Sequence, residues 1–429
     1  MTHYRAAWVC PIEGPPINDA IVTVEHGRIV EHGRIVEVRR ARSPEPGARD
    51  LGRVALLPGL VNAHIHLELS WLRGRVPPAH KFTDWVKQLV ALRRGIEQLG
   101  DPNVVAPIRA AIDELRESGT VAVGDISNSL VSVAPMAEAR LDGIVFHELL
   151  GFKERDARLV ERSLEARNAV AASGIRTSIA PHAPYSTSPE LFRAIRAAVD
   201  GSPCGITSIH LGESPQELEL LATGTGSWRS MLEIIGAWRD DWQIPGCDPV
   251  EYLDGMTVID ARTLVVHGVQ LEDGALQRLA QIGATLVTCP RSNQWVGVGA
   301  PPIERFYKSG VAVAVGTDSL ASVADLNLFS ELKEMRWLAP GIPAAKILES
   351  ATLIGARALE LDHELGSLTP GKRAEIIAIA LPDSVDDVEE YLLSGIQPSQ
   401  ISWIESGALR LGAKPGSVSG LAQGRPGSE

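Results

Sequence analysis

Cysteine is scarce in this sequence: Cys10, Cys204, Cys247 and Cys289 are the only four in 429 residues. No two are close enough to form a CxxC pair, which argues against a zinc knuckle or a dithiol redox motif. So few thiols in so long a chain fit a reducing compartment better than a disulfide scaffold. Positive charge is also in short supply. Lys and Arg number 41 against 53 Asp and Glu, a formal net charge of −12, and no basic block interrupts the chain. Such a balance speaks against binding nucleic acid or an anionic membrane. Long apolar runs are missing as well: Val311 to Val315 and Ile376 to Leu381 are far too short to cross a bilayer, and Met1 to Pro11 carries no secretory h-region or cleavage site. These absences leave a cytoplasmic protein that handles a small molecule. A neutral or cationic ligand is the easier case, and an anionic one needs a local cationic pocket.

What is present is a large apolar fraction, 45%, enough for one or two domains with a substantial core. From Leu57 to about Ala339, short β-rich runs alternate with amphipathic stretches. The runs are Leu60–His66, Thr120–Ile126, Gly143–Leu149, Arg176–Pro181, Ile206–Leu211, Thr263–His267, Thr285–Cys289 and Val311–Thr317. Between them lie helical segments such as Asn103–Glu117, Leu159–Ala172, Pro189–Val199 and Asp273–Gln281. Eight strand–helix units predict an α/β fold of the (β/α)8 TIM-barrel type over residues 57–363.

The chain ends read differently. Residues from about Ala20 to Val38 alternate apolar and polar positions, the period of a small antiparallel sheet. Val24-Glu25-His26-Gly27-Arg28-Ile29 recurs at once as Val30-Glu31-His32-Gly33-Arg34-Ile35. Six is even, so the duplication lengthens a hairpin without turning later side chains to the other face. Lys346–Leu361 reads as one further helix. The turn-rich Gly366 to Lys372 then leads into the strand Ile376–Leu381, which can return to the N-terminal strands. Residues 1–56 and 364–412 are therefore expected to form a satellite β-domain. The Gly-, Ser- and Pro-rich tail, 413–429, is expected to be disordered.

Histidine placement carries the chemistry. His64 and His66 stand two apart at the end of the first barrel run, so both side chains face one side. His147, His182, His210 and His267 also end or follow barrel runs, and Asp318 follows the eighth. Strand C-termini are where a barrel places its active site. For His147 a buried structural role is the preferred reading.

With these residues in view, the chain resembles the amidohydrolase superfamily, and within it the triazine- and adenosine-type aminohydrolases. The resemblance rests on Pro58-Gly59-Leu60-Val61-Asn62-Ala63-His64-Ile65-His66, Pro181-His182-Ala183-Pro184-Tyr185, His210-Leu211-Gly212-Glu213, His267-Gly268 and Gly316-Thr317-Asp318-Ser319. It runs from the first sheet to Gly371-Lys372-Arg373-Ala374-Glu375, where Glu375 stands in place of the usual Asp. It implies one divalent ion held by His64, His66, His210 and Asp318, with zinc the best fit and iron or manganese as alternatives. It also implies that the ion activates water, that Asp318 accepts the water's proton and that His267 orients the attack. Glu213 would then shuttle a proton to the substrate, with a helix-start carboxylate as the alternative reading. His182 would bind substrate. A binuclear site needs a bridging Lys at the end of strand four, and Gly174 to His182 contains none.

Substrate is less legible. Leu67-Glu68-Leu69-Ser70, the stretch Trp238 to Asp254 and Cys289-Pro290-Arg291-Ser292-Asn293 are most similar to aminodeoxyfutalosine deaminases. That subgroup removes the amino group of an adenine nucleoside with a carboxyphenyl tail, in menaquinone synthesis. Deaminases of S-adenosylhomocysteine, methylthioadenosine, guanine or triazines, and chlorohydrolases, are alternatives, and a non-catalytic scaffold is the reading from another class. Trp71, Trp295 or Phe82 would stack on a base or serve in the core. Arg73, Lys81 and Arg291 would pair with a substrate carboxylate or be solvated surface charge. The resemblance is compatible with a homodimer.

Overall fold

The computed structural model describes residues 1–25, 33–42, 45–94, 101–405 and 408–411. Most of the duplicated hairpin segment, with His26 and His32, and the tail 413–429 lie outside the described residues.

Eight parallel strands form two four-stranded sheets. Leu60–Ile65, Thr120–Ser127, Asp142–Leu149 and Arg176–Pro181 make the first, and Thr207–Leu211, Thr263–His267, Thr285–Thr288 and Ala312–Val315 the second. Both seams are bridged. At one, the Asp318 amide donates to the His64 carbonyl (3.1 Å) and Ile65 pairs in parallel with Asp318. At the other, the His210 amide donates to the His182 carbonyl (2.9 Å) and the Thr207 hydroxyl to the Ile179 carbonyl (2.8 Å). The two sheets thus join into one barrel. Its interior is filled by Val61, Ala63, Phe146, Ala180, Val266 and Val287, among others, so it is a packed core and not a pore. Helices Pro102–Glu117, Arg158–Val170, Pro189–Asp200 and Asp273–Ile282 fall where the apolar periodicity places them.

Lys346–Leu361 is two helices, Ala344–Ser350 and Leu353–Ala358, where the sequence suggests one. The break lets the Ala351 carbonyl accept from the Val61 amide (2.8 Å), while Gly355 comes so close to Val61 that an added Cβ would lie 3.0 Å from its carbonyl oxygen. Hydrogen bonding to the first barrel strand overrides helix continuity here.

Both chain ends build one mixed sheet. Thr2–Val9 pairs antiparallel with Ile17–Glu25 and parallel with Val54–Pro58, which in turn pairs antiparallel with Ile376–Ala380; Ile401–Glu405 and Ala408–Leu411 extend the sheet. This is larger than a local antiparallel sheet, because Val54–Pro58 pairs with strands from both chain ends and runs on through Gly59 into the first barrel strand. All four cysteines are free thiols, and among the described residues no helix is long and apolar enough to cross a membrane.

Candidate active site

The C-terminal ends of the barrel strands gather a cluster of imidazoles and carboxylates. His64 and His66 end the first strand, and Gly316 lets the eighth pass beside them: a Cβ there would meet the His64 carbonyl oxygen at 2.6 Å. Asn62 clasps the two strands, its amide donating to Thr317 Oγ1 (2.8 Å) and its carbonyl accepting from the Thr317 amide (3.2 Å). Asp318 and His267 both have left-handed backbone, with φ of 62° and 76°. Such conformations cost energy in residues other than glycine and collect at functional sites.

Asp318 Oδ1 lies 3.5 Å from His66 Nε2 and 3.9 Å from His64 Nε2. The His64 ring is centred 5.0 Å from that of His210 and 5.8 Å from that of His267. Ligand atoms of His64, His66 and Asp318 all lie within 4.8 Å of one another, as do those of His64, His210 and His267. Donors held about 2.1 Å from one tetrahedral ion would stand about 3.4 Å apart, so the cluster is of the right size to close on a single ion. Two further observations fit a metal. Both ring nitrogens of His64 are buried with no hydrogen-bond partner, an arrangement that is costly unless something else satisfies them. And His210 Nδ1 faces the His182 carbonyl at 3.1 Å and Glu148 Oε1 at 3.4 Å, which places its proton there and leaves Nε2 free to coordinate. Burial, with neighbouring imidazoles adding, pushes His64 well below its ordinary pKa and His66 down to about 3. Burial likewise brings His210 to about 4. All three are neutral near pH 7, the form that binds metal.

The supporting residues include several that the sequence did not single out. Ser292 Oγ donates to Asp318 Oδ2 (2.5 Å), and the Asn293 amide faces His267 Nδ1 at 2.9 Å. With Asn293 as donor, the His267 proton sits on Nε2, which points at Glu213 Oε1 3.5 Å away. Both residues occupy the Cys289-Pro290-Arg291-Ser292-Asn293 segment after strand seven, so a polar pair at a strand end was the available signal. Glu213 is buried, and burial together with Asp318 and Glu217 holds its carboxyl well above the usual range. Helix Pro215–Thr223 starts after Glu213: Ser214 is its N-cap, and Glu217 reaches back to accept from the Gly212 and Glu213 amides (2.9 and 3.1 Å). Glu217 fills the helix-start role, and the Glu213 side chain lines the cavity instead. His182 Nδ1 is held by Ser186 Oγ (2.6 Å), and burial lowers its pKa to about 4. His147 lies apart, between Ser163 Oγ and the Asn128 carbonyl.

A cavity of about 290 Å³ opens above this cluster. His66, His182, His210, Glu213, His267 and Asp318 all line it, and Phe82, Trp85, Tyr185 and Trp228 form an aromatic wall. The Tyr185 and Trp228 rings stack with centroids 3.9 Å apart. Two residues expected to contact substrate are placed elsewhere. Arg291 does not line the cavity: its guanidinium is spent on Glu331 Oε1 (2.7 Å) and both Asp325 carboxylate oxygens (3.0 Å). Trp71 packs between two core clusters, with the Arg75 guanidinium 5.5 Å from its ring centre. Arg73 is turned to Glu114, Trp295 donates to the Val76 carbonyl (3.1 Å), and Lys81 precedes helix Phe82–Arg93 without lining the cavity. The cations that do line it are Arg93 and Arg94. Arg93 is bound to Glu68 and Asn128; Arg94 has no side-chain partner among the described residues.

Residues 55–402 match the Amidohydrolase family. The chain is 33% identical over 337 residues to aminodeoxyfutalosine deaminase of Deinococcus radiodurans, covering 74% of this chain and 76% of that one. It is 26% identical over 411 residues to 5-methylthioadenosine/S-adenosylhomocysteine deaminase of Moorella thermoacetica, covering 92% and 90%. An adenosine deaminase from Xanthomonas campestris with bound zinc superimposes with a TM-score of 0.77 at 26% identity, over 96% of this chain and 92% of that one. A barrel whose strand ends carry this histidine–aspartate cluster, and a match that spans most of its length, place the chain in the amidohydrolase family.

Proposed function

We propose that this protein is a metal-dependent aminohydrolase that removes the amino group of an adenine-type nucleoside, with 6-aminodeoxyfutalosine the leading substrate. The observation that carries the reading is Glu213. It is a buried carboxyl whose pKa is raised by burial and by the nearby Asp318 and Glu217, set beside His267 in an aromatic-walled cavity and next to the histidine–aspartate cluster. His64, His66, His210 and Asp318 would hold the ion, zinc by preference. Bound there, it would supply Lewis acidity that brings the pKa of water towards about 7.

The chain's own groups divide the remaining chemistry. Water adds to the ring carbon bearing the amino group, and Glu213 gives its proton to the adjacent ring nitrogen. Asp318 takes up the proton that water surrenders, and His267 Nε2–H orients the attacking oxygen. The amino group then takes the proton held by Asp318 and leaves as ammonia, while the new hydroxyl gives its proton to Glu213 as the ring carbonyl forms. His182, its Nδ1 fixed by Ser186, presents Nε2 to the substrate. Phe82 and Trp85 offer apolar faces to the base and tail. Arg94, without a side-chain partner among the described residues, is the cation for a tail carboxylate. In this reading residues 57–363 are the catalytic unit and the sheet of both chain ends is its satellite.

The aminodeoxyfutalosine assignment draws on the Deinococcus relative and on the largely apolar cavity lined by Arg93 and Arg94. A second reading, methylthioadenosine or S-adenosylhomocysteine, draws on the Moorella relative, whose match spans more of the chain. Ammonia release from zinc-loaded enzyme, measured over aminodeoxyfutalosine, methylthioadenosine, S-adenosylhomocysteine, adenosine, guanine and a triazine, separates them. The highest kcat/KM is expected for aminodeoxyfutalosine. In an Arg94→Met variant its KM should rise far more than that for adenosine, with little change in kcat, because the tail is remote from the breaking bond. Preference for methylthioadenosine would favour the second reading, and activity confined to guanine or a triazine would refute both.

A further inference from the structure

Among the described residues four arginines are buried, and three are paired with carboxylates. Arg196 holds Asp200 (2.7 Å), Arg239 holds Glu190 (2.8 Å) and Arg373 holds Asp142 (2.7 Å). Arg167 is the exception. It is 7% exposed, its Nε is buried without a partner, and its guanidinium makes no hydrogen bond or ion pair among the described residues. A guanidinium does not give up its proton, so its charge persists where it sits. Burial pulls its pKa down from the ordinary 12.5. An unpaired buried charge is strongly unfavourable unless an anion meets it.

Arg167 lines a groove of about 620 Å³ between the helices Arg158–Val170 and Pro189–Asp200. Arg176, which begins barrel strand four, lines it too, and His182 follows the other end of that strand. Six residues of extended chain put the groove about 20 Å from the catalytic cluster. Val160, Leu164 and Pro203 give the groove apolar walls. The one carboxylate in its lining, Glu161, is exposed and forms no ion pair with Arg167. Arg176 is largely committed, donating to the Leu359 carbonyl and lying 3.7 Å from Glu360. The groove therefore offers about one uncompensated positive charge, in a planar two-donor fork, beside apolar surface.

We infer that this groove is a second ligand site, one that takes a small organic monocarboxylate, with the carboxylate on Arg167 and the apolar body along Leu164 and Pro203. A single fork suits a carboxylate in two parallel hydrogen bonds. A phosphate dianion would need a second free cation.

Calorimetric titration of benzoate, and separately of inorganic phosphate, into the full-length protein and its Arg167→Met variant in chloride-free buffer tests this. Benzoate should bind the wild type at one site, more tightly than phosphate, and Arg167→Met should weaken it about tenfold or more. Without ligand the variant should melt higher than the wild type, because an unpaired buried charge is gone. No benzoate binding, or affinity indifferent to the substitution, overturns the site. A lower melting temperature also overturns it, since the guanidinium would then be paired within the chain. Tighter binding of phosphate overturns the choice of a monocarboxylate. If Arg167→Met does not fold, Arg167→Lys keeps the charge without the fork and should lose benzoate affinity; full retention counts against the proposal.

Discussion

Glu213 and Glu217 lie four residues apart and meet different surroundings, because a helix begins between them. Glu217 is fixed by two backbone amides, whereas the Glu213 carboxyl faces the cavity with His267 Nε2 3.5 Å from its Oε1. Replacing Glu213 with Gln keeps the shape and removes the transferable proton. Turnover should fall about 10²-fold or more while metal content, read by elemental analysis, stays near one ion per chain; unchanged turnover would assign the proton elsewhere. The histidines, Glu213 and Asp318 could be read from the sequence because each sits at a strand end beside a recognisable run of neighbours. Arg291 and Trp71 could not be placed that way. Asp325 and Glu331, which consume Arg291, lie 34 and 40 residues further on, and nothing local announces the pairing. Arg93 and Arg94 are illegible for the complementary reason: they stand at the end of helix Phe82–Arg93, and their place in the cavity lining is a tertiary fact.

Among the elements, the eight barrel strands and their main helices were legible from apolar periodicity, since each buries one face or both. Residues 215–255 were not. Their short helices, Pro215–Thr223, Gly226–Ile234 and Pro249–Gly255, have too few turns for a periodic signal, yet Trp228, Met231 and Leu232 from them wall the cavity. The link between the chain ends also depends on distant partners. Glu13 accepts from Ser367 (2.5 Å) and Thr369 (2.6 Å), with Lys372 Nζ 3.4 Å away. These contacts, Ser367 foremost, hold its pKa at about 2 in place of the ordinary 4.5. A carboxylate whose folded pKa is depressed stabilises the fold above its unfolded pKa and loses that contribution as the pH falls through the folded value. Glu13→Gln should therefore lower the melting temperature at pH 7, and the difference from wild type should shrink between about pH 4.5 and 2. A pH-independent difference across that window would show that the charge is not what links the two ends.

At the scale of the whole molecule, the barrel separates its tasks by end. The C-terminal strand ends carry the histidine–aspartate cluster and the aromatic cavity, while the N-terminal side carries the chain-end sheet and the Arg167 groove. The first of these ends is proposed as the site of metal-dependent nucleoside deamination. The most direct measurement strips the protein with a chelator, reconstitutes it with one equivalent of zinc, and follows adenine-to-hypoxanthine conversion of aminodeoxyfutalosine together with ammonia. No conversion is expected in the stripped protein, with recovery on adding zinc and one ammonia per nucleoside consumed. Conversion that persists without metal, or zinc-loaded protein that binds the nucleoside and releases no ammonia, would contradict that proposal.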